Sequence, residues 1–154
     1  MTTEDPTELA KRESDANDSL TILLIEDDEV DVLNVRRAFK IAGIESELLV
    51  AGNGLEAMRV LRQNPPSKSR RMVLMTDLNM PQMDGLELMR EIRQDANLRR
   101  LPVVVLTTSD RPSDRQAAFD LYAAGYLVKP TKPQALVDVV KRVQEYWEMN
   151  RFSE

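Results

Sequence analysis

From Leu20 onward, short apolar runs alternate with stretches of helical spacing, and this alternation restricts the chain to repeated strand-helix units. The expected strands are Leu20 to Glu26, Glu45 to Val50, Met72 to Thr76, Pro102 to Thr107 and Gly125 to Val128. Most are continuous in apolar character, as strands covered on both faces are. Helices fill the gaps. The first repeats Val35, Ala38, Phe39 and Ala42 and stops at Gly43; the second starts near Asn53 and carries Ala57, Val60 and Leu61. A third contains Leu88, Met89 and Ile92, and a fourth begins around Ser113 and Asp114. The last places Leu136, Val139, Val140, Val143 and Trp147 on one face and ends near Met149. Five right-handed crossovers of this kind build an α/β fold, a doubly wound five-stranded parallel sheet with five helices. Ligands of such sheets gather at the carboxyl ends of the strands.

The flanks read differently. Residues 1–19 hold six acids against Lys11 and Arg12, a pattern that predicts a solvated, disordered acidic tail with a net charge of −4 in a chain whose total is −5. The body, 20–149, is therefore close to neutral, and 150–154 form a short C-terminal tail. An acidic balance disfavours nucleic acid as a partner. No apolar run approaches the roughly 20 residues of a membrane helix, and the N-terminus lacks the basic and apolar stretches of a secretory signal, so the expected location is cytoplasmic with no membrane contact.

With no Cys and no His, disulfides, thiolate metal sites, imidazole triads and a phosphohistidine on this chain are all excluded. Carboxylates, hydroxyls, Lys and Arg remain, and these suit a hard, oxygen-bound cation. They converge at the strand ends. Glu26, Asp27 and Asp28 close the first strand, Asp77 the third, Thr107 and Thr108 the fourth, and Lys129 with Pro130 the fifth. Clustered carboxylates repel one another unless a divalent cation neutralises them, and Mg²⁺ fits that need. A carboxylate flanked by Mg²⁺, an ammonium and a hydroxyl is arranged to attack phosphorus.

Four blocks carry a resemblance: ILLIEDD (22–28), TDLNMPQMDG (76–85), PVVVLTTS (102–109) and YLVKP (126–130). In order and spacing they resemble the receiver domains of two-component response regulators, over about Leu20 to Trp147. The resemblance implies a flavodoxin-like sheet of order 2-1-3-4-5. It implies that Asp77 accepts a phosphoryl group from a sensor histidine kinase, that Asp27 ligates Mg²⁺, that Glu26 acts through a metal-bound water, and that Asn79 offers its backbone carbonyl. Thr107 is then the hydroxyl that follows the phosphoryl group, Thr108 lends its backbone N–H, Lys129 pairs with a phosphoryl oxygen, and Tyr126 is the aromatic switch moving with Thr107. Asp28 reads instead as the cap of the first helix. Pro130 after Lys129 is similar to the cis peptide found there in receivers.

Where receivers often carry Gly at the end of the fourth helix, this chain has Tyr122, which leaves that cap geometry open. The aromatic finish, Tyr146, Trp147 and Phe152, resembles response regulators that serve bacterial phytochrome kinases. It implies a homodimer through Tyr122, Tyr146, Trp147 and Phe152; the other reading has Trp147 closing the core edge. A chemotaxis-type or phosphorelay shuttle shares the same site residues. A Mg²⁺-dependent phosphohydrolase is disfavoured because its second acid, two residues after Asp77, is Asn79.

Overall fold

A computed structural model describes residues 5–7, 19–67, 70–150 and 152, so most of the acidic tail lies outside the described residues. The elements run β1 (Ser19–Ile25), α1 (Glu29–Ala42), β2 (Glu47–Ala51), α2 (Gly54–Gln63), β3 (Arg70–Thr76), α3 (Gly85–Gln94), β4 (Val103–Thr107), α4 (Pro112–Asp120), β5 (Gly125–Val128) and α5 (Pro133–Met149). All strand pairs are parallel, in the order β2-β1-β3-β4-β5. Strand order reverses at β1, so the crevice between the ends of β1 and β3 is the topological switch point.

Period-two alternation in the strands divides the core into two layers. Leu23 and Ile25 of β1, Leu74 of β3 and Val103 and Val105 of β4 pack with Leu61 of α2 and Leu88, Met89 and Ile92 of α3. Ile22 and Leu24, Val73 and Met75, and Val104 and Leu106 face the other way, onto Val35 and Phe39 of α1 and Val137 and Val140 of α5. Each side chain of this size, taken wholly out of water, contributes about 1.5–3 kcal/mol before the entropy of ordering it. Both faces of the sheet are therefore dry, and only its two edges of loops are free to hold polar chemistry. No helix among the described residues is long and apolar enough to cross a membrane.

Helix starts near the carboxyl edge are set by side-chain caps. Asp28 accepts from the Val30 and Asp31 N–H groups at 2.8 and 3.3 Å, Asn53 from Glu56 at 2.9 Å, and Asp84 from Glu87 at 2.9 Å. Such caps are worth about 1 kcal/mol each and fix where the following helix begins. At the end of α4, the Tyr122 N–H reaches the Phe119 carbonyl (2.9 Å) and the Ala123 N–H reaches that of Ala118 (3.0 Å). This is a Schellman motif, and Tyr122 itself takes its left-handed position at φ 61°. The geometry usually supplied by Gly is thus kept, with a bulky residue bearing the strain. Arg93 at the end of α3 clasps this corner, donating to the carbonyls of Leu121 (2.8 Å), Tyr122 (3.1 Å), Arg99 (3.0 Å) and Leu101 (2.7 Å).

Candidate functional site at the strand ends

β1 ends one residue before Glu26, and Glu26 is buried because its backbone N–H still bonds the Ala51 carbonyl beside β2. The Asp77 N–H bonds the Ile25 carbonyl in the same way, so both acids are held against the sheet at the switch point. Asp77 is further oriented by its own neighbours: its Oδ1 accepts from the N–H groups of Leu78 (2.7 Å) and Asn79 (3.4 Å). Behind it, Gly85 leaves no room for a side chain. A Cβ there would meet the Asp77 carbonyl oxygen at 2.1 Å, which explains why the DG pair opens α3.

Lys129 joins the elements. From the residue after β5 its Nζ reaches Glu26 Oε1 at 2.9 Å, Asp31 Oδ2 at 2.8 Å and Asp77 Oδ2 at 3.1 Å, which uses all three of its protons. Its backbone N–H bonds the Thr107 carbonyl at 2.7 Å, tying β5 to the end of β4. Asp31, in the first turn of α1, was not singled out from sequence. An acid there reads as a favourable dipole partner, and only the folded lysine shows its second role.

Glu26, Asp31 and Asp77 bring three carboxylates to one ammonium, and Asp27 lies beside them. Burial, reinforced by the neighbouring Asp31 carboxylate, pushes the Glu26 carboxyl up to about 9 despite Lys129. Burial also opposes the charge on Asp77, yet hydrogen bonds from Glu26 and Thr107 and the charge of Lys129 hold it below the usual carboxylate range. Asp31 is likewise lowered, by its bond with Glu26 and by Lys129. Burial disfavours the Lys129 ammonium, but Asp31, Glu26 and Asp77 outweigh it and raise its pKa.

Ligand oxygens of Glu26, Asp27 and Asp77 lie within 4.8 Å of one another, and Asp27 is exposed at the mouth. The second oxygen of Glu26 is buried with no hydrogen-bond partner. An orphaned carboxylate oxygen in an all-oxygen cluster is the arrangement a small hard cation completes. The residues present therefore fit a divalent ion.

Other expected residues fall around this centre. Thr107 is buried, its hydroxyl accepting from the Ser109 N–H at 3.3 Å, while Thr108 and Asn79 are exposed at the same rim. Tyr126 is half-buried, donates its hydroxyl to the Ser109 carbonyl at 2.9 Å and packs near Phe119. The expected cis peptide is corrected: no cis bond occurs among the described residues, so Lys129–Pro130 is trans. The trans form of such a bond is favoured by about 0.5–1 kcal/mol, and Lys129 reaches its three partners without the other isomer. Trp147 and Phe152 pack on the core edge, with ring centroids 5.7 Å apart, whereas Tyr122 and Tyr146 are exposed.

The response regulator receiver domain family matches residues 22–141, a span that contains Glu26, Asp27, Asp31, Asp77, Thr107, Tyr126 and Lys129. The chain belongs to the receiver family. Among its relatives, response regulator Rcp1 of Synechocystis sp. is 36% identical over 135 residues, covering 86% of this chain and 92% of Rcp1. The crystal structure of the phosphorylated cyanobacterial phytochrome response regulator RcpA matches this receiver with TM-score 0.78 at 32% identity, over 88% of this chain and 99% of that one. The Mn²⁺-bound form of Rcp1 matches with TM-score 0.73 at 34% identity, over 87% and 99% of the two chains.

Proposed function

We propose that Asp77 is the phosphoacceptor of this response regulator and that its partner is a sensor histidine kinase. The observation that carries the reading is the meeting of Asp77, Glu26, Asp31 and Lys129, drawn from four separate elements, at the switch point of the sheet. In the transfer, an Asp77 oxygen forms a bond to phosphorus as the bond from phosphorus to the donor's imidazole nitrogen breaks. The electron pair and a proton stay with the imidazole. The Leu78 and Asn79 N–H groups hold the carboxylate in place, and its lowered pKa keeps it ionised at neutral pH. Lys129 and the Thr107 hydroxyl stand where the transferred oxygens gather charge. Mg²⁺, held by Glu26, Asp27, Asp77 and the Asn79 carbonyl, would supply further positive charge to those oxygens. The chain's own residues thus promote both gain and hydrolytic loss of the phosphoryl group.

The kinship with Rcp1 and RcpA supports a donor kinase of the phytochrome type. Thr107 drawn toward the phosphoryl group frees space for Tyr126, whose hydroxyl then leaves Ser109, altering the face of α4, β5 and α5. That face already exposes Phe119, Tyr122, Val128 and Tyr146, which suits a protein surface and a homodimer closed by Tyr146, Trp147 and Phe152. Phosphotransfer from candidate kinases should label the parent and leave Asp77→Asn unlabelled; equal labelling of both sinks the reading. Sedimentation of Trp147→Ala as a monomer where the parent is a dimer checks the interface.

A further inference from the structure

At the opposite edge of the sheet, the starts of β3 and β4 and the end of α5 enclose a cleft of about 520 Å³. Its described lining holds Arg70, Arg71, Arg99 and Arg100, the aromatic rings of Trp147 and Phe152, and no acid. Two of the arginines are occupied. Arg70 pairs with Glu47 at 3.2 Å, and Arg71 donates to the carbonyls that end α5 and lies over Phe152 at 5.4 Å. Arg99 and Arg100 are exposed, and their guanidinium groups make no hydrogen bond or ion pair among the described residues. A cationic, partly aromatic concavity of this size is fitted to an extended anionic chain.

Such a chain is tethered at its rim. Ser19 and Leu20 pair in register with Arg70 and Arg71, so the segment that precedes β1 leaves the sheet one strand spacing from the cleft wall. Its last eleven positions before β1 hold Glu8, Glu13, Asp15 and Asp18 against Lys11 and Arg12, a net charge of −2, with three of the four acids in the final six. The six residue steps from Glu13 to Ser19 span up to about 20 Å when extended, and a sphere of the cleft's volume is about 10 Å across. Asp5 to Thr7, further out, are exposed, so the contact belongs to the stretch nearer the strand.

We propose that the acidic segment Glu8 to Asp18 docks in this cleft on Arg99 and Arg100. Individual exposed ion pairs are weak, but the tether holds the segment at an effective concentration near millimolar, which lets weak pairs act together. The contact is electrostatic and therefore yields to salt, since the screening length falls from about 10 Å at 0.1 M to about 3 Å at 1 M. It is independent of phosphoacceptance at Asp77 and touches none of that site's residues.

The chain has no cysteine, so Ala10→Cys in the full-length protein accepts a single nitroxide label and removes no charge. Docking predicts that at low salt the amide signals of Asn97, Arg99, Arg100 and Leu101 lose at least half their intensity, while those of Leu78 and Asn79 at the far edge do not. In 1 M NaCl, or with Arg99→Ser and Arg100→Ser together, the lost intensity returns. Equal broadening at both edges in low salt overturns the proposal. So does selective broadening that persists in the double variant, because the arginines would then not be what holds the segment.

Discussion

The first consequence concerns Glu26 and a divalent ion. With its carboxyl raised to about 9, Glu26 carries a proton at pH 7 until a cation arrives. Whether it meets the ion directly or through water, its charged form is the one that binds, so binding expels that proton. The two pH units between 7 and about 9 correspond to about 3 kcal/mol, or about a hundredfold in affinity. Asp77 and Asp31, both lowered, are already ionised above pH 5 and add no slope. Mg²⁺ affinity should therefore rise about tenfold per pH unit from 6 to 8 and level off near 9. Calorimetric titration in two buffers of different ionisation heat should find about one proton released per ion at pH 7. Glu26→Gln, an isostere of the protonated form, should unfold in chelator within about 0.5 kcal/mol of the parent and release no proton. Affinity that stays flat from pH 6 to 8, or a loss above 2 kcal/mol in ion-free Glu26→Gln, would refute the reasoning.

Gly85→Ala places a Cβ 2.1 Å from the Asp77 carbonyl and 2.9 Å from the Leu78 Cα, so backbone must move; a loss of about 1–3 kcal/mol by thermal melting and weaker Mg²⁺ binding are expected. Tyr122→Gly should raise the melting temperature by about 2–4 °C, because the left-handed position costs Tyr about 1 kcal/mol and the residue is 79% exposed. Arg93→Met leaves four carbonyls without their charged donor and should lose about 2–3 kcal/mol in denaturant unfolding, with Arg93→Lys recovering only part. Asp31→Asn should bind beryllofluoride about two- to fivefold more tightly at saturating Mg²⁺, since one competitor for Lys129 is gone; weaker binding, read by Trp147 fluorescence, contradicts this.

Strand and helix existence could be read from the chain because burial on both faces forces continuous apolar strands, and one-sided burial forces the helical period. Boundaries were less legible where polar residues join a ladder. β3 begins at Arg70 and Arg71, whose side chains reach Glu47 and the carbonyls at the end of α5 rather than the core, so hydrophobicity starts only at Met72. In the site, Glu26, Asp27, Asp77 and Lys129 could be found because strand ends converge by topology alone. Asp31 and Arg93 could not. Each sits in a terminal helical turn where a charged residue has an ordinary local reason to be, and its partners are 98 and as many as 29 residues distant. The Lys129–Pro130 bond shows the converse: a local pair suggested an isomer that the tertiary geometry did not require.

What makes the cluster responsive is that Lys129 has no proton to spare. Any new oxygen placed beside Asp77 can be bonded only if one of three carboxylates gives up its share. Glu26 and Asp77 side chains are 3% and 10% exposed, so releasing either leaves a buried group short of a partner. Asp31 is 35% exposed, and water can replace the lysine there at small cost. The least costly exchange therefore detaches β5 from the first turn of α1 and keeps it bound to β1 and β3. An event at Asp77 is in this way directed to the strand that carries Tyr126, and away from the core beneath it.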